Sequence, residues 1–279
     1  FMLAIASRHV PLMLLCAALA WPAFAQVADG DQHWANRAQN GQIDAAIAAY
    51  QRAVTSAPND VEARAKLLRG WRFKGAYVAK TNDQKKQVYG EAKKVGADAV
   101  ALVNRLLGAK ATASEKQDAE AARAIPGAAE VFLWDSVNWG EWALAYGKLA
   151  AARQGAADRI RREATIAHLI DPHLEGGAPS RVLGRLHDQT PRIPFITGWA
   201  SSKEAVRFLN ESLRLAPGNK LTLVFLAEAM VSDDSSTKPK AIQMLRGVVA
   251  APNDPKYAVE DAAANEDAKA LLRTMNAER

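Results

Sequence analysis

Only one cysteine, Cys16, occurs in the 279 residues, and that scarcity removes several chemistries at once. A lone thiol allows no intramolecular disulfide, no Cys-x-x-Cys redox pair and no cysteine-built zinc site. Sustained apolar/polar alternation is also missing, so no stretch reads as a half-buried strand. Beyond the first 25 residues no uninterrupted apolar run reaches about 18 residues, the length of a membrane-spanning helix. Neither a Gly-x-Ser-x-Gly nucleophile elbow nor a lysine-bearing phosphate loop is present. Such a chain has to be held together by its packed core.

The amino-terminal segment reads as a leader. A small basic start (Arg8, His9), an apolar run from Val10 to Trp21 and "AFA" at Ala23–Ala25 predict a cleavable secretory signal over residues 1–25, with processing before Gln26. The remaining chain of about 254 residues is then expected to be exported to the periplasm, and it has lost its only cysteine. Lipid anchoring at Cys16 is not expected, because the preceding Leu15 is large where that processing wants a small side chain.

Positive charge is concentrated. Residues 61–110 hold twelve lysines and arginines against four acids, a local net of +8, whereas the whole chain carries +6. Nucleic acid is not the expected partner of an exported chain whose basic stretch interleaves only Trp71, Phe73, Tyr77 and Tyr89. Two readings of the stretch stay open: a solvated helix face, or a face that steers an acidic partner or anionic lipid.

What is abundant is helix former. Alanine, leucine and charged residues recur at three- and four-residue spacing after Ala28, with stoppers or caps at Gly41, Ala57–Asn59, Thr81–Asp83, Ala124–Gly127, Asp171-Pro172, Gly176–Ser180, Thr190–Gly198, Ala216–Asn219, Ser232–Pro239 and Ala251–Pro255. Asp60, Asp83, Ser114 and Ser201 are placed to cap the helices that follow. The pattern predicts an all-α fold of about twelve helices. Gly41, Ala46, Tyr50, Ala53 and Pro58 carry tetratricopeptide spacing, matched again at Ala205, Leu209, Ser212 and Pro217 and more weakly from Ala241. Ala205 and Ala241 lie 36 residues apart, close to the ~34 of that repeat, but Ala46 and Ala205 lie 159 apart, no multiple of it. The expectation is an irregular TPR-like α-solenoid with elongated central helices. It forms one domain over 26–279: an N-terminal repeat at 27–80, inserted central helices at 81–200 and C-terminal repeats at 201–279.

Candidate binding residues follow from one helix, expected from about Pro126 to Ala152. Phe132, Asp135, Trp139, Trp142 and Tyr146 recur at spacings of three and four and so share a face, which suits either a core seam or the lining of an apolar ligand site. Asp135 within that stripe needs a partner, with Arg181, Arg185 or an indole N–H as candidates. "HLIDPHLE" places His168, Asp171, His173 and Glu175 close together, but the five-residue histidine spacing and the Asp-Pro break between them argue against a metal site. "EGGAPSRVLG" (175–184) has no preceding strand, so Gly176, Gly177 and Gly184 read as a corner that redirects the chain, with Arg181 the residue there placed to contact an anion. No cofactor and no catalytic group is expected.

"VNWGEWALAYGKLAAA" (137–152), "LEGGAPSRVLGRLHDQTP" (174–191) and "ITGWASSKEAVRFLNESLRLAPGNKLTLVFLAEAM" (196–230) together resemble the TatT family, the tetratricopeptide-containing T component associated with TRAP transporters. The resemblance implies an all-helical periplasmic accessory protein that assembles as a ring-like homo-trimer. It also implies docking of a periplasmic substrate-binding protein carrying a small apolar organic acid. Trp139, Gly140 and Trp142 then stand in the family's aromatic helix, and Gly176, Gly177, Arg181 and Gly184 in its glycine-rich corner. A general periplasmic scaffold that touches no small molecule is the alternative, marked by an aromatic stripe wholly buried in the core.

Overall fold

The computed structural model describes residues 13–108 and 114–277, and every regular element among them is helical. Among the described residues thirteen α-helices follow one another. The first group is α1 (Met13–Ala35), α2 (Gln42–Ser56), α3 (Val61–Phe73), α4 (Asn82–Leu107) and α5 (Glu115–Ala122). The central group is α6 (Ala128–Tyr146), α7 (Lys148–Arg153), α8 (Ala156–Ile170) and α9 (Leu174–Gln189). The last is α10 (Ser202–Leu215), α11 (Lys220–Asp233), α12 (Lys238–Ala250) and α13 (Ala258–Ala277). Of the expected leader, residues 1–12 lie outside the described residues. Helix α1 runs continuously through the expected cleavage point between Ala25 and Gln26. No helix among the described residues is long and apolar enough to cross a membrane.

In the first hairpin the small residues and the aromatic let the helices approach closely. Gly41 adopts a φ of 78° to start α2, and Ala46, Tyr50 and Ala53 are fully buried on the face that meets α1 and α3. A Cβ at Gly30 would stand 2.4 Å from the Tyr50 ring, so only glycine lets α1 lie against that aromatic. Most successive helices pack on one another, and the long α4 and α6 form the centre, α6 touching α3, α4, α8 and α9. Helix α13 returns to the five-residue π-turn Lys74–Val78 that follows α3. There Glu260 accepts hydrogen bonds from Arg37 Nε and Nη2 at 3.1 and 2.9 Å, and Val259 packs on the first core cluster. These contacts tie the last helix to the first hairpin.

Three of the four expected caps hold: Asp60 accepts from Ala63 N at 2.9 Å, Ser114 forms a capping box with Gln117, and Ser201 accepts from Glu204 N at 3.4 Å. For α4 the cap is Thr81, paired reciprocally with Gln84, and Asp83 sits in the first turn. A Thr-x-x-Gln box satisfies two backbone donors at once and outcompetes a single carboxylate two residues later. The expected helix to Ala152 instead stops at Tyr146, because Gly147 takes φ 92° and ψ 161° and α7 starts afresh.

Candidate functional site

Helix α6 carries the aromatic stripe, and the structure divides it. Phe132 is 2% exposed and belongs to the core formed with Leu68, Leu102, Val131 and Ile166. Trp139 and Trp142, 7% and 4% exposed, belong to a second core with Tyr89, Ala156, Ile160 and Leu186. Their rings meet edge to face at 5.6 Å, and Tyr146 stacks on Trp142 at 4.7 Å while keeping an exposed edge. Lys93 covers both indoles, its ammonium 3.9 and 3.6 Å from the two ring centres. The stripe is a seam between helices rather than the lining of an open cavity.

Asp135 lies wholly buried beneath that seam, and its partner is Arg159 of α8 at 2.7 Å, not Arg181, Arg185 or an indole. Sequence spacing could not reveal this, because the pairing depends on how α8 crosses α6. Arg159 Nε also stands 3.0 Å from Glu163, a second buried carboxyl, so one guanidinium faces two acids. Burial raises the affinity of Asp135 for its proton, and burial together with the neighbouring Asp135 raises that of Glu163 well above the ordinary carboxylate range. Asp135 Oδ1 and Glu163 Oε2 have no hydrogen-bond partner of normal geometry, and the raised proton affinity of both carboxyls is what a proton held between them would satisfy. Gly96 of α4 makes the room: a Cβ there would fall 1.7 Å from Asp135 Oδ1. With Asp135 at 0% exposure, this acid pair reaches no outside substrate.

The glycine-rich corner behaves as its sequence suggests. Glu175, Gly176 and Gly177 turn left-handed at φ 47°, 63° and 76°, and a Cβ at Gly184 would meet Leu209 Cγ at 2.6 Å, so α9 swings round to press on α10. The turn brings Arg181 against Thr222 of α11, away from the indoles. Arg181 donates to the Thr222 hydroxyl of α11 at 3.3 Å and, among the described residues, has no carboxylate at ion-pair distance. Burial, and after it the charge of Arg72, push its guanidinium down to about 10. Glu175, Tyr77 and Tyr257 act on it with the opposite sign.

Arg69, Arg72 and Tyr77, which sequence reasoning passed over, complete this interior. Arg72 donates to Tyr77 Oη at 2.8 Å and approaches Glu141 at 3.8 Å; burial opposes its charge, but Tyr77 and Glu141 outweigh that and hold it protonated. Arg69 approaches Glu175 at 3.6 Å and lies over the Trp34 ring at 4.0 Å. Tyr89 is buried beside Glu141 with its hydroxyl making no hydrogen bond of normal geometry, its proton held more tightly by burial first and Glu141 second. The only sequence signal was Arg69 and Arg72 three apart around Trp71, a spacing that shares one helical face.

Among known protein families and curated proteins, none matches the chain.

The remaining candidates are absorbed by packing. His168 Nδ1 meets Ser180 Oγ at 3.2 Å and its Nε2 faces Glu211 at 3.7 Å, while His187 stacks on Phe208 at 5.7 Å. His173 donates its backbone N–H to Asp171, and its carbonyl accepts from Gly176 N. Much of the basic stretch is neutralised within the fold, by Lys66–Asp31, Lys74–Asp44, Arg69–Glu175, Arg72–Glu141 and Lys94–Glu91 pairs. Lys110 lies outside the described residues. What the fold leaves open is apolar: Ile193, Phe195 and Ile196 in the loop after α9, and Leu144 and Leu149 beside Gly147.

Proposed function

We propose that this chain is a non-catalytic periplasmic accessory protein, the T component of a TRAP-type transport system, that docks a periplasmic substrate-binding protein. The observation that carries docking is the loop between α9 and α10. Phe195 stands fully in solvent at 106% relative exposure and φ 64°, beside Ile196 at 66%. A left-handed phenylalanine exposed to water is costly unless a partner covers it. The loop is backed by Trp199, whose indole N–H reaches Asp158 at 3.2 Å, so its base is anchored while its apolar tip is presented. Assembly as a homo-trimer belongs to the same reading, and native mass spectrometry of the purified chain tests it.

The partner test is a pull-down from periplasmic extract at low salt with mass-spectrometric identification. Recovery of a TRAP-type binding protein by the wild-type chain, and its loss with Phe195→Ser, is the expected result. Equal recovery by both proteins removes the loop from the proposal, and recovery of no binding protein removes the transport reading. One observation favours the second reading, a general periplasmic scaffold for an envelope or secretion complex: Trp139 and Trp142 are sealed into the core, where they cannot line a ligand pocket. A partner that is an envelope or secretion protein is the result expected of that reading.

A further inference from the structure

We infer that Asn40 and Gly41, in the turn between α1 and α2, form a site of spontaneous backbone modification, where the Gly41 nitrogen attacks the Asn40 side chain and the chain re-emerges carrying isoaspartate. The site goes beyond docking and shares no residue with it. Three observations meet at this dipeptide. The nucleophile is uncommitted: the turn ties Asn36 N, Arg37 N, Gln39 N and Gln42 N to carbonyls at 2.9–3.3 Å, but Gly41 N donates to no group among the described residues. The electrophile is free as well, since Asn40 is exposed and its side-chain amide makes no hydrogen bond among the described residues. Space is the third. A Cβ at Gly41 would meet nothing within 4 Å, so neither a side chain nor a neighbour obstructs closure of the five-membered ring.

Other asparagines of the same chain are held where this one is not. None of them precedes a glycine. Asn59 and Asn253 precede aspartates, but Asp60 N is bound to Ala57 O at 3.0 Å and Asp254 N to Asp261 at 2.8 Å, while the two side-chain amides accept from Arg105 and Lys220, each at 2.8 Å. The fold itself demands the labile neighbour, because Gly41 starts α2 at φ 78°, where any side chain is strained. In the reaction the Gly41 nitrogen gives its proton to hydroxide and bonds to Asn40 Cγ, and ammonia leaves with a proton from water. Water then opens the resulting succinimide at either carbonyl. Opening at the Asn40 main-chain carbonyl routes the chain through Cβ and Cγ, one methylene longer, and frees an α-carboxylate. The insertion falls within the loop closed by Gln42 N on Gln39 O, at 3.3 Å the weakest of the turn's bonds, and by His33 Nδ1 with Gln42 Oε1 at 2.6 Å. Arg37 lies in the same turn, so the lengthened link disturbs its bonds to Glu260 and the hold on α13.

Peptide mapping by mass spectrometry of the purified chain, incubated warm at neutral and at mildly alkaline pH, tests this, with isoaspartate-specific enzymatic methylation as the second readout. Asn40 is expected to gain about 1 Da at a rate about tenfold or more above that of any other asparagine in the folded chain, and faster at the higher pH. Unfolding in urea is expected to speed Asn59 and Asn253, whose bonds it breaks. The isoaspartyl form, separated from the unmodified chain by anion exchange, is expected to melt about 2–4 °C lower and to exchange the amide hydrogens of the α1–α2 turn faster. Asn40→Gln, which would have to close a six-membered ring, is expected to stay unmodified. Asn40→Asp carries the new charge without the extra methylene and is expected to melt as the wild type does. An Asn40 that stays intact while another asparagine reacts, or that reacts only once the chain is unfolded, overturns the site. An isoaspartyl form that melts and exchanges like the unmodified chain overturns the loosening of the turn.

Discussion

Two regions of this protein bury unequal numbers of opposite charges, and they resolve the imbalance in opposite ways. Beneath the indole seam, Asp135 and Glu163 confront the single guanidinium of Arg159, with Lys93 held above the rings. Around the interior, Arg69, Arg72 and Arg181 confront Glu141 and Glu175. An excess of acid is self-correcting, because a carboxyl can take up a proton within reach of neutral pH, and burial drives Glu163 to do so. An excess of arginine has no such exit. The first region is therefore sealed, whereas the second keeps its guanidiniums partly in solvent.

The largest expected effect comes from breaking the acid-rich side. Gly96→Ala places a methyl group 1.7 Å from Asp135 Oδ1, and neither the helix backbone nor a carboxylate tied to Arg159 can retreat far. A loss of about 3–5 kcal/mol, seen as a lower denaturant midpoint with a normal slope, is expected. A near-neutral outcome would mean that Asp135 and Arg159 part easily.

A smaller effect sharpens the proton account. The folded chain holds a proton on the Glu163 carboxyl to higher pH than the unfolded chain does. The stability this gives is fully present below the ordinary carboxylate pKa of 4.5 and is lost as pH rises through the raised value. Glu163→Gln, neutral at every pH, removes that loss. Its stability relative to wild type is expected to improve steadily from pH 5 upward, by about 1.4 kcal/mol for each unit by which the wild-type pKa is raised. Melting curves across pH 4–9 read this directly, and parallel curves for the two proteins would sink the shared proton.

Smallest is the effect on the arginine-rich side. Arg181→Gln relieves repulsion from Arg72 and forfeits one 3.3 Å bond to Thr222, so a change within about 1 kcal/mol of zero is expected by chemical denaturation. A loss several times larger would show that Arg181 holds α9 to α11 and is structural.

Much of the helical architecture could be read from sequence because its determinants are local. Asp60, Ser114 and Ser201 cap within three residues of themselves, and Ala46, Tyr50 and Ala53 repeat on one face. The corner at 175–184 was legible for the same reason, since left-handed backbone wants glycine wherever the rest of the chain goes. The helix end at Gly147 was not, because a glycine inside a strongly helical run reads equally as a tolerated weak point. The site residues fared worse. Phe132, Trp139 and Trp142 do share a face, but whether that face meets water or another helix depends on α4, α8 and α9, which arrive from far along the chain. Arg159 as partner of Asp135, and Arg72 as neighbour of Arg181, likewise arise from helix crossings that no periodicity encodes.

The clasp between Arg37 and Glu260 changes what kind of solenoid this is. An open array of hairpins unravels from its tips, since each terminal unit has a neighbour on one side only. Here residues 223 positions apart hold hands, with the first hairpin and the last helix resting on the same core cluster. The chain is fastened at both ends: fraying at one tip must also undo the other, so the first hairpin and the last helix share their stability.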